Sequence, residues 1–224
     1  MSGAADLELR IDVEGRGTVP ALLRRPKEAR ALLALAHGAG AGMRHAFLEG
    51  LSAALAARGI ATLRWDFPYV AAGRRAPDRA PVLQACVRAA VAEAGRRAGG
   101  LPLLAGGKSM GGRMTSLAAE APLPGVRGLV FFGFPLHRPG DGSDARADHL
   151  PAVNLPMLFL QGTRDRLAEA ARIRRVCAAL GPRVTLHVVE GADHGFAVPK
   201  RAGRTGDDVA AELAGAVAAW AAGV

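Results

Sequence analysis

Short apolar runs alternate along the chain with longer stretches in which alanine, leucine and arginine recur at helical spacing, and Gly or Pro stands at most of the junctions. Residues 7–13 (LELRIDV) alternate apolar and polar side chains, and a weaker run at 19–24 does the same, the pattern of an antiparallel hairpin at a sheet edge. Six further runs are nearly continuous in apolar character: 31–36 (ALLALA), 60–65 (IATLRW), 101–105 (LPLLA), 127–132 (RGLVFF), 156–161 (PMLFLQ) and 184–189 (VTLHVV). Strands covered on both faces read this way. Helices are predicted over 44–58, 79–98, 110–121, 166–180 and 207–222. Strand and helix in alternation, joined by right-handed crossovers, make an α/β fold: an open, mostly parallel eight-stranded sheet with helices on both faces. Sites in such sheets lie beyond the carboxyl ends of the strands. No insertion is longer than 135–153 (PLHRPGDGSDARADHLPAV), a polar loop that is either plain surface or a cover for a pocket, so no large cap domain is expected.

Composition narrows this picture. A chain of 224 residues fits one domain, 1–224, with a single core. No run approaches the roughly 20 uncharged apolar positions of a membrane span, and the start, MSGAADLELRIDVEG, carries acids where a signal peptide has a basic segment. A cytoplasmic protein with no membrane contact is expected. Cys86 and Cys177 have neither the pairing of a disulfide framework nor histidines at zinc spacing, and are expected to be buried thiols. The net charge is +9, yet the basic residues are spread out and almost all arginine, with only Lys27, Lys108 and Lys200 as lysines. Nucleic-acid sites cluster such residues among aromatics, so no nucleic-acid partner is expected. An acidic substrate stays open.

Candidate chemistry concentrates at residues 106–114, GGKSMGGRM. Four glycines in seven positions, at about 0.5–1 kcal/mol each in a helix interior, need a steric reason. Gly107-x-Ser109-x-Gly111 follows the 101–105 strand and opens the 110–121 helix, the context in which G-x-S-x-G forms a nucleophile elbow. The strand turns so sharply that the serine is strained and flanking side chains would collide with neighbouring backbone.

A serine hydroxyl attacks only when a positioned base takes its proton, and that base needs an orienting carboxylate. Asp165 follows the 156–161 strand and His194 follows the 184–189 strand, both at carboxyl ends and in the chain order Ser, Asp, His that suits this fold. Asp165 could also be only a helix N-cap, with Asp141, Asp144 and Asp148 as alternatives. Of the other histidines, His187 is expected to be packed, His137 and His149 solvated, and His37 a scaffold for its own loop. The tetrahedral intermediate needs backbone N–H donors already aimed. Met110 should supply one, and the AHGAGAGM loop the other, through Ala39 with Gly40 close behind.

AHGAGAGM, RWDFPY, GGKSMGGRM, GTRD and DHGF together resemble the α/β-hydrolase superfamily, in particular its small capless members similar to dienelactone hydrolases, and more narrowly the bacterial α/β family hydrolases related to the hydrolase-like domain of an NSL-complex subunit. The resemblance implies a Ser109, His194, Asp165 triad, an oxyanion hole at Ala39 and Met110, and no cofactor or metal. Dienelactone hydrolase proper uses a cysteine where this chain has Ser109, so lactone chemistry is not implied. The expected activity is hydrolysis of a small ester or thioester; the alternative is a binding protein on the same scaffold. Trp65, Phe67 and Tyr69, with Gly40, are candidate substrate contacts, the aromatics being equally suited to packing. Lys108 and Arg113 flank the serine and could attract a carboxylate or simply complete the corner.

Overall fold

The computed structural model describes residues 4–138 and 140–224, so the first three residues and Pro139 of the 135–153 loop lie outside it. Eight strands form one sheet: β1 (Asp6–Val13), β2 (Gly17–Arg24), β3 (Ala31–Ala36), β4 (Ile60–Trp65), β5 (Leu103–Lys108), β6 (Val126–Phe132), β7 (Met157–Gly162) and β8 (Val184–Val189). Their order is β1-β2-β4-β3-β5-β6-β7-β8. β1 and β2 pair antiparallel, β2 joins β4 antiparallel, and every other pair is parallel. The helices are α1 (Ala46–Ala57), α2 (Pro68–Ala71), α3 (Ala80–Ala98), α4 (Met110–Ala118), α5 (Ala170–Leu180) and α6 (Gly206–Ala221).

The continuous apolar runs have the expected cause. In β3, Leu32, Ala34 and Ala36 join the core formed with α3, α4 and α5, while Ala31, Leu33 and Leu35 join the opposite core under α1 and α6. Side chains alternate between the two faces, and both faces are dry. Among the described residues no helix is long and apolar enough to cross a membrane.

Several elements differ from expectation, α4 for instance ending at Ala118 and not at 121. β5 runs on to Lys108, taking Gly106 and Gly107 into the sheet, where Gly107 pairs with Ala36 and Phe131. The helix expected from 166 begins at Ala170, because the Asp165 carboxylate takes the N–H of Leu167 and holds 165–169 as a loop. The short α2 was not anticipated; Pro68 starts it at a position where a missing N–H costs nothing. The 135–153 loop is anchored, with Leu136, Leu150 and Val153 fully buried and Arg172 paired to Asp144.

The clustered glycines are explained by contact. A Cβ on Gly107 would stand 2.5 Å from the Ala36 carbonyl oxygen, one on Gly111 2.5 Å from that of His37, and one on Gly106 1.8 Å from that of Val130. β5 and the start of α4 are wedged between their neighbours at backbone contact. Gly107→Ala should therefore cost about 1–3 kcal/mol or more through overpacking. Gly50→Ala, in α1 where a Cβ meets nothing within 4 Å, should instead stabilise by roughly 0.5–1 kcal/mol. Urea midpoints of the two variants check the contrast, and equal shifts would refute it.

Candidate active site

Ser109 sits between β5 and α4 with φ 50 and ψ −115, a region that non-glycine residues occupy at a cost of about 1–3 kcal/mol. The corner is held by the Ser109 N–H donating to the Phe132 carbonyl at 3.0 Å and the Arg113 N–H donating to the Ser109 carbonyl at 3.0 Å. The hydroxyl therefore projects beyond the sheet edge. There it lies 2.8 Å from His194 Nε2, while His194 Nδ1 lies 2.7 Å from Asp165 Oδ2. A carboxylate only accepts, so Nδ1 carries the proton and Nε2 is left to accept from the Ser109 hydroxyl.

Asp165 is 2% exposed. Its Oδ1 accepts from the Leu167 N–H at 2.8 Å, and its Oδ2 also accepts from the Gln161 amide. The same Gln161 accepts from the Phe134 N–H through Oε1, so β7 itself aims the carboxylate. Asp165 thus makes the local turn bond of a cap and the histidine contact at once. Asp141 and Asp144 serve elsewhere, on the Ser143 N–H and Arg172. Asp193 folds the histidine loop by accepting from the Gly195 and Ala197 N–H groups.

His37 is fully buried. Its Nδ1 donates to the Gly38 carbonyl at 2.7 Å and its Nε2 accepts from the Phe67 N–H at 3.1 Å. Those partners fix the neutral tautomer, and burial pushes the imidazole below its ordinary pKa. The loop it starts is clamped twice more: the Met43 N–H donates to Asp66 Oδ1 at 2.7 Å, and the Met43 carbonyl accepts from the buried Arg64 at 3.0 Å. Gly38 lies against the serine, since a Cβ there would be 3.7 Å from Ser109 Cβ. Among the described residues neither the Ala39 nor the Met110 N–H has a protein acceptor.

A hollow of about 220 Å³ opens beside the serine, lined among others by Ala39, Ala41, Phe47, Leu48, Lys108, Ser109 and His194. Trp65, Phe67 and Tyr69 do not line it. All three are fully buried, and Phe67 and Tyr69 pack edge-on against His37 with centroids 4.9 and 6.1 Å away. Phe67 and Tyr69 brace His37 at the start of the 37–45 loop, and Trp65 packs behind Phe67. Gly40, with φ 71, turns the loop and does not line the hollow either. Nor are the loop histidines both solvated: His137 is 4% exposed and bonds Glu169, and His149 lies 2.7 Å from Ser116 Oγ. That second Ser–His pair has no carboxylate on the imidazole, and Ser116 is sealed at 0% exposure with its hydroxyl donating to the Arg113 carbonyl. His187 is half-buried against Glu212 and not part of the core.

The sequence reading missed the groups that aim the others. Gln161 carried a signal, as a lone polar residue in an apolar strand; Arg64 carried the same one in β4. Lys108 was noticed without its role. Its ammonium donates to the His194 carbonyl at 2.6 Å and stands 5.6 Å above the Phe196 ring, which stacks on Phe47. Gly133 leaves the room, since a Cβ there would lie 3.1 Å from Lys108 Nζ. Arg113 completes no ion pair among the described residues.

An eight-stranded, mostly parallel sheet with helices on both faces, a serine at the β5–α4 corner and no inserted cap defines a small α/β hydrolase without a lid. Residues 29–222 match the family model described as "Alpha/beta hydrolase domain", and the chain belongs to that family. The fold is similar to that of dienelactone hydrolase from Anabaena variabilis, with a TM-score of 0.75 and 20% identity over 98% of this chain and 97% of that one. It is equally similar to an α/β serine hydrolase without lid from Xanthomonas campestris, with a TM-score of 0.75 and 21% identity over 98% and 97%. An α/β serine hydrolase homologue from Coxiella burnetii has a TM-score of 0.73 and 19% identity over 97% of this chain and 99% of that one.

Burial pushes the Lys108 ammonium from its ordinary 10.5 down to about 8, against the opposing pull of Asp165 and Asp193. A lysine whose folded pKa lies below its unfolded one costs stability while charged in both states, and the cost is relieved as pH rises from about 8 towards 10.5. Wild-type stability should thus gain over that window, and Lys108→Met should lose the gain while melting no lower than wild type at pH 7. If the lysine tethers the histidine loop, Lys108→Met also slows fluorophosphonate labelling of Ser109 by about tenfold, the worth of one charge-assisted bond. An unchanged labelling rate would leave Lys108 without that role.

Proposed function

We propose that this protein is a serine hydrolase that cleaves a small ester or thioester through an acyl-enzyme. The observation that carries the reading is the unbroken hydrogen-bonded line from Ser109 Oγ through His194 to the buried Asp165 carboxylate, at 2.8 and 2.7 Å. The relatives described as serine hydrolases and as dienelactone hydrolase support the same class of chemistry.

His194 Nε2 takes the Ser109 proton as Oγ attacks the acyl carbon, and Asp165 stabilises the imidazolium that forms. The carbonyl oxygen, now an oxyanion, accepts from the Ala39 and Met110 N–H groups, which are free of protein acceptors and, for Met110, lie at the positive end of α4. The imidazolium then protonates the leaving alcohol or thiol as its bond to carbon breaks. Water attacks the acyl-serine by the same relay, releasing the acid and restoring the hydroxyl. Every step uses side chains, backbone and water. The clamped 37–45 loop matters because donors fixed before reaction need no reorganisation during it.

At about 220 Å³ the apolar hollow falls below the roughly 300–1,000 Å³ of drug-sized sites, which favours a short acyl group. In this reading residues 1–224 act as one catalytic domain on a small-molecule substrate in the cytoplasm, without a nucleic-acid partner. A fluorophosphonate probe should label folded wild type at Ser109 and not Ser109→Ala. That substitution should also lower turnover of short-chain esters by a factor on the order of 10⁴. Folded wild type that takes no label would leave a binding protein on a hydrolase scaffold.

A further inference from the structure

The hollow beside Ser109 does not end at His194. A second and more open one, of about 400 Å³, is lined by Arg164, Arg166, Asp193, His194 and Gly195. His194 and Gly195 border both. His194 therefore borders two spaces of different chemistry, one walled by Ala39, Ala41, Phe47 and Leu48 and the other by two arginines.

The one hydrogen bond those arginines' guanidinium groups make among the described residues is a long one, Arg164 Nη1 donating to the Gly191 carbonyl at 3.5 Å. Neither Arg164 nor Arg166 forms an ion pair among the described residues. Arg164 is placed by its backbone, whose N–H donates to the Ala192 carbonyl at 2.8 Å. The one carboxylate in this hollow, Asp193, already accepts from two backbone N–H groups at 2.8 and 3.0 Å. Two arginines against one engaged carboxylate leave the space positive. The arginines flank Asp165 in sequence, so the turn that aims the buried carboxylate at His194 also sets both cations at the rim.

Acyl transfer assigns a substrate half to each space. The carbonyl oxygen must face Ala39 and Met110, so the acyl chain extends along the 37–45 loop into the apolar hollow. The leaving atom must receive the proton on His194 Nε2, so the leaving group extends past the imidazole towards the arginines. Resting on the hydrolase reading above, we propose that the natural substrate joins a short apolar acid to an alcohol or thiol bearing a carboxylate or phosphate. Hydrolysis breaks the acyl C–O or C–S bond, its electron pair leaves with the heteroatom, and the His194 proton neutralises it. Water supplies the oxygen of the released acid. The anion on the leaving group is held by charge-assisted bonds and takes no part in bond making.

The test compares butyrate esters of 4-nitrophenol and of its 3-carboxy derivative, and butyryl thioesters of pantetheine and 4′-phosphopantetheine. Within each pair the ratio of kcat/KM, anionic over neutral, is read for wild type, Arg166→Ala and Arg164→Glu/Arg166→Glu. Taking the ratio against wild type cancels the intrinsic reactivity of the leaving groups. The ratio should fall about fivefold to tenfold in Arg166→Ala, the range expected for one partly screened ionic contact, and further in the double variant. Added salt should lower it in wild type. Arg174→Ala, which removes the same charge from the exposed side of α5, should leave it unmoved. Which pair shows the larger effect tells carboxylate from phosphate. Ratios independent of Arg164 and Arg166 in both pairs overturn the assignment while leaving Ser109 as nucleophile. Absence of turnover for all four substrates, together with absence of fluorophosphonate labelling, overturns the hydrolase reading and this assignment with it.

Discussion

The geometry of this protein depends on one close approach of backbone to backbone. At the carboxyl end of β5 the chain passes the end of β3 so tightly that Gly107 and Gly111 touch the carbonyls of Ala36 and His37, with no space for a methyl group. That contact forces the strand to enter α4 without an intervening loop, and the residue between them, Ser109, takes a positive φ. The strain is small against the core packed on both faces of the sheet, which holds it in place. A looser approach would relax the serine and swing its hydroxyl away from His194, so the glycines act on the site through sterics and not through flexibility.

A second tier of polar groups, buried except for the half-buried Asp66, fixes the loops that meet the serine. His37, Arg64, Asp66 and Gln161 each satisfy backbone or carboxylate atoms of a loop from inside the fold. Burying such groups is favourable only when each finds its partner. A misplaced loop would therefore leave a desolvated donor or acceptor behind it. Arg64 shows the balance: burial lowers its pKa, and the ion pair with Asp6 opposes the shift. The sheet edge at β1 is in this way linked through Asp6 and Arg64 to the Met43 carbonyl, and so to the loop beside the serine.

Much of this was legible in the sequence, and the exceptions have a common cause. Unbroken apolar runs marked β3 to β7 because both faces of the sheet are covered there, whereas the sixth run, β8, is an edge strand in which only Val189 is buried; Ser109, Asp165 and His194 stood out because each follows a strand at its carboxyl end. Apolar character reports burial without saying what the residue is buried against. Trp65, Phe67 and Tyr69 were thus read as possible substrate contacts when Phe67 and Tyr69 pack against His37 and Trp65 packs against Phe67. The helix start at 166 was misplaced because a side chain, Asp165, competes for the backbone N–H that a helix would leave open. The bond from Lys108 to the His194 carbonyl spans 86 positions, and no local pattern signals a pairing at that distance.

The same division separates what the fold dictates from what it leaves free. The serine corner, the clamped 37–45 loop and the Asp165 turn are each tied to core packing, so changing them costs stability as well as geometry. Ala39, Ala41 and Leu48 in the wall of the hollow share that tie, but other groups that would meet a substrate do not. Phe47 at the start of α1 and the two rim arginines project from elements whose positions are set by other residues, and Arg166 is exposed. The fold itself is shared with structures near 20% identity. In the proposed reading, substrate choice then falls to a few side chains on either side of His194. In that reading the contrast between an apolar space of about 220 Å³ and a basic one of about 400 Å³ bears on the substrate more directly than the fold, which hosts many activities.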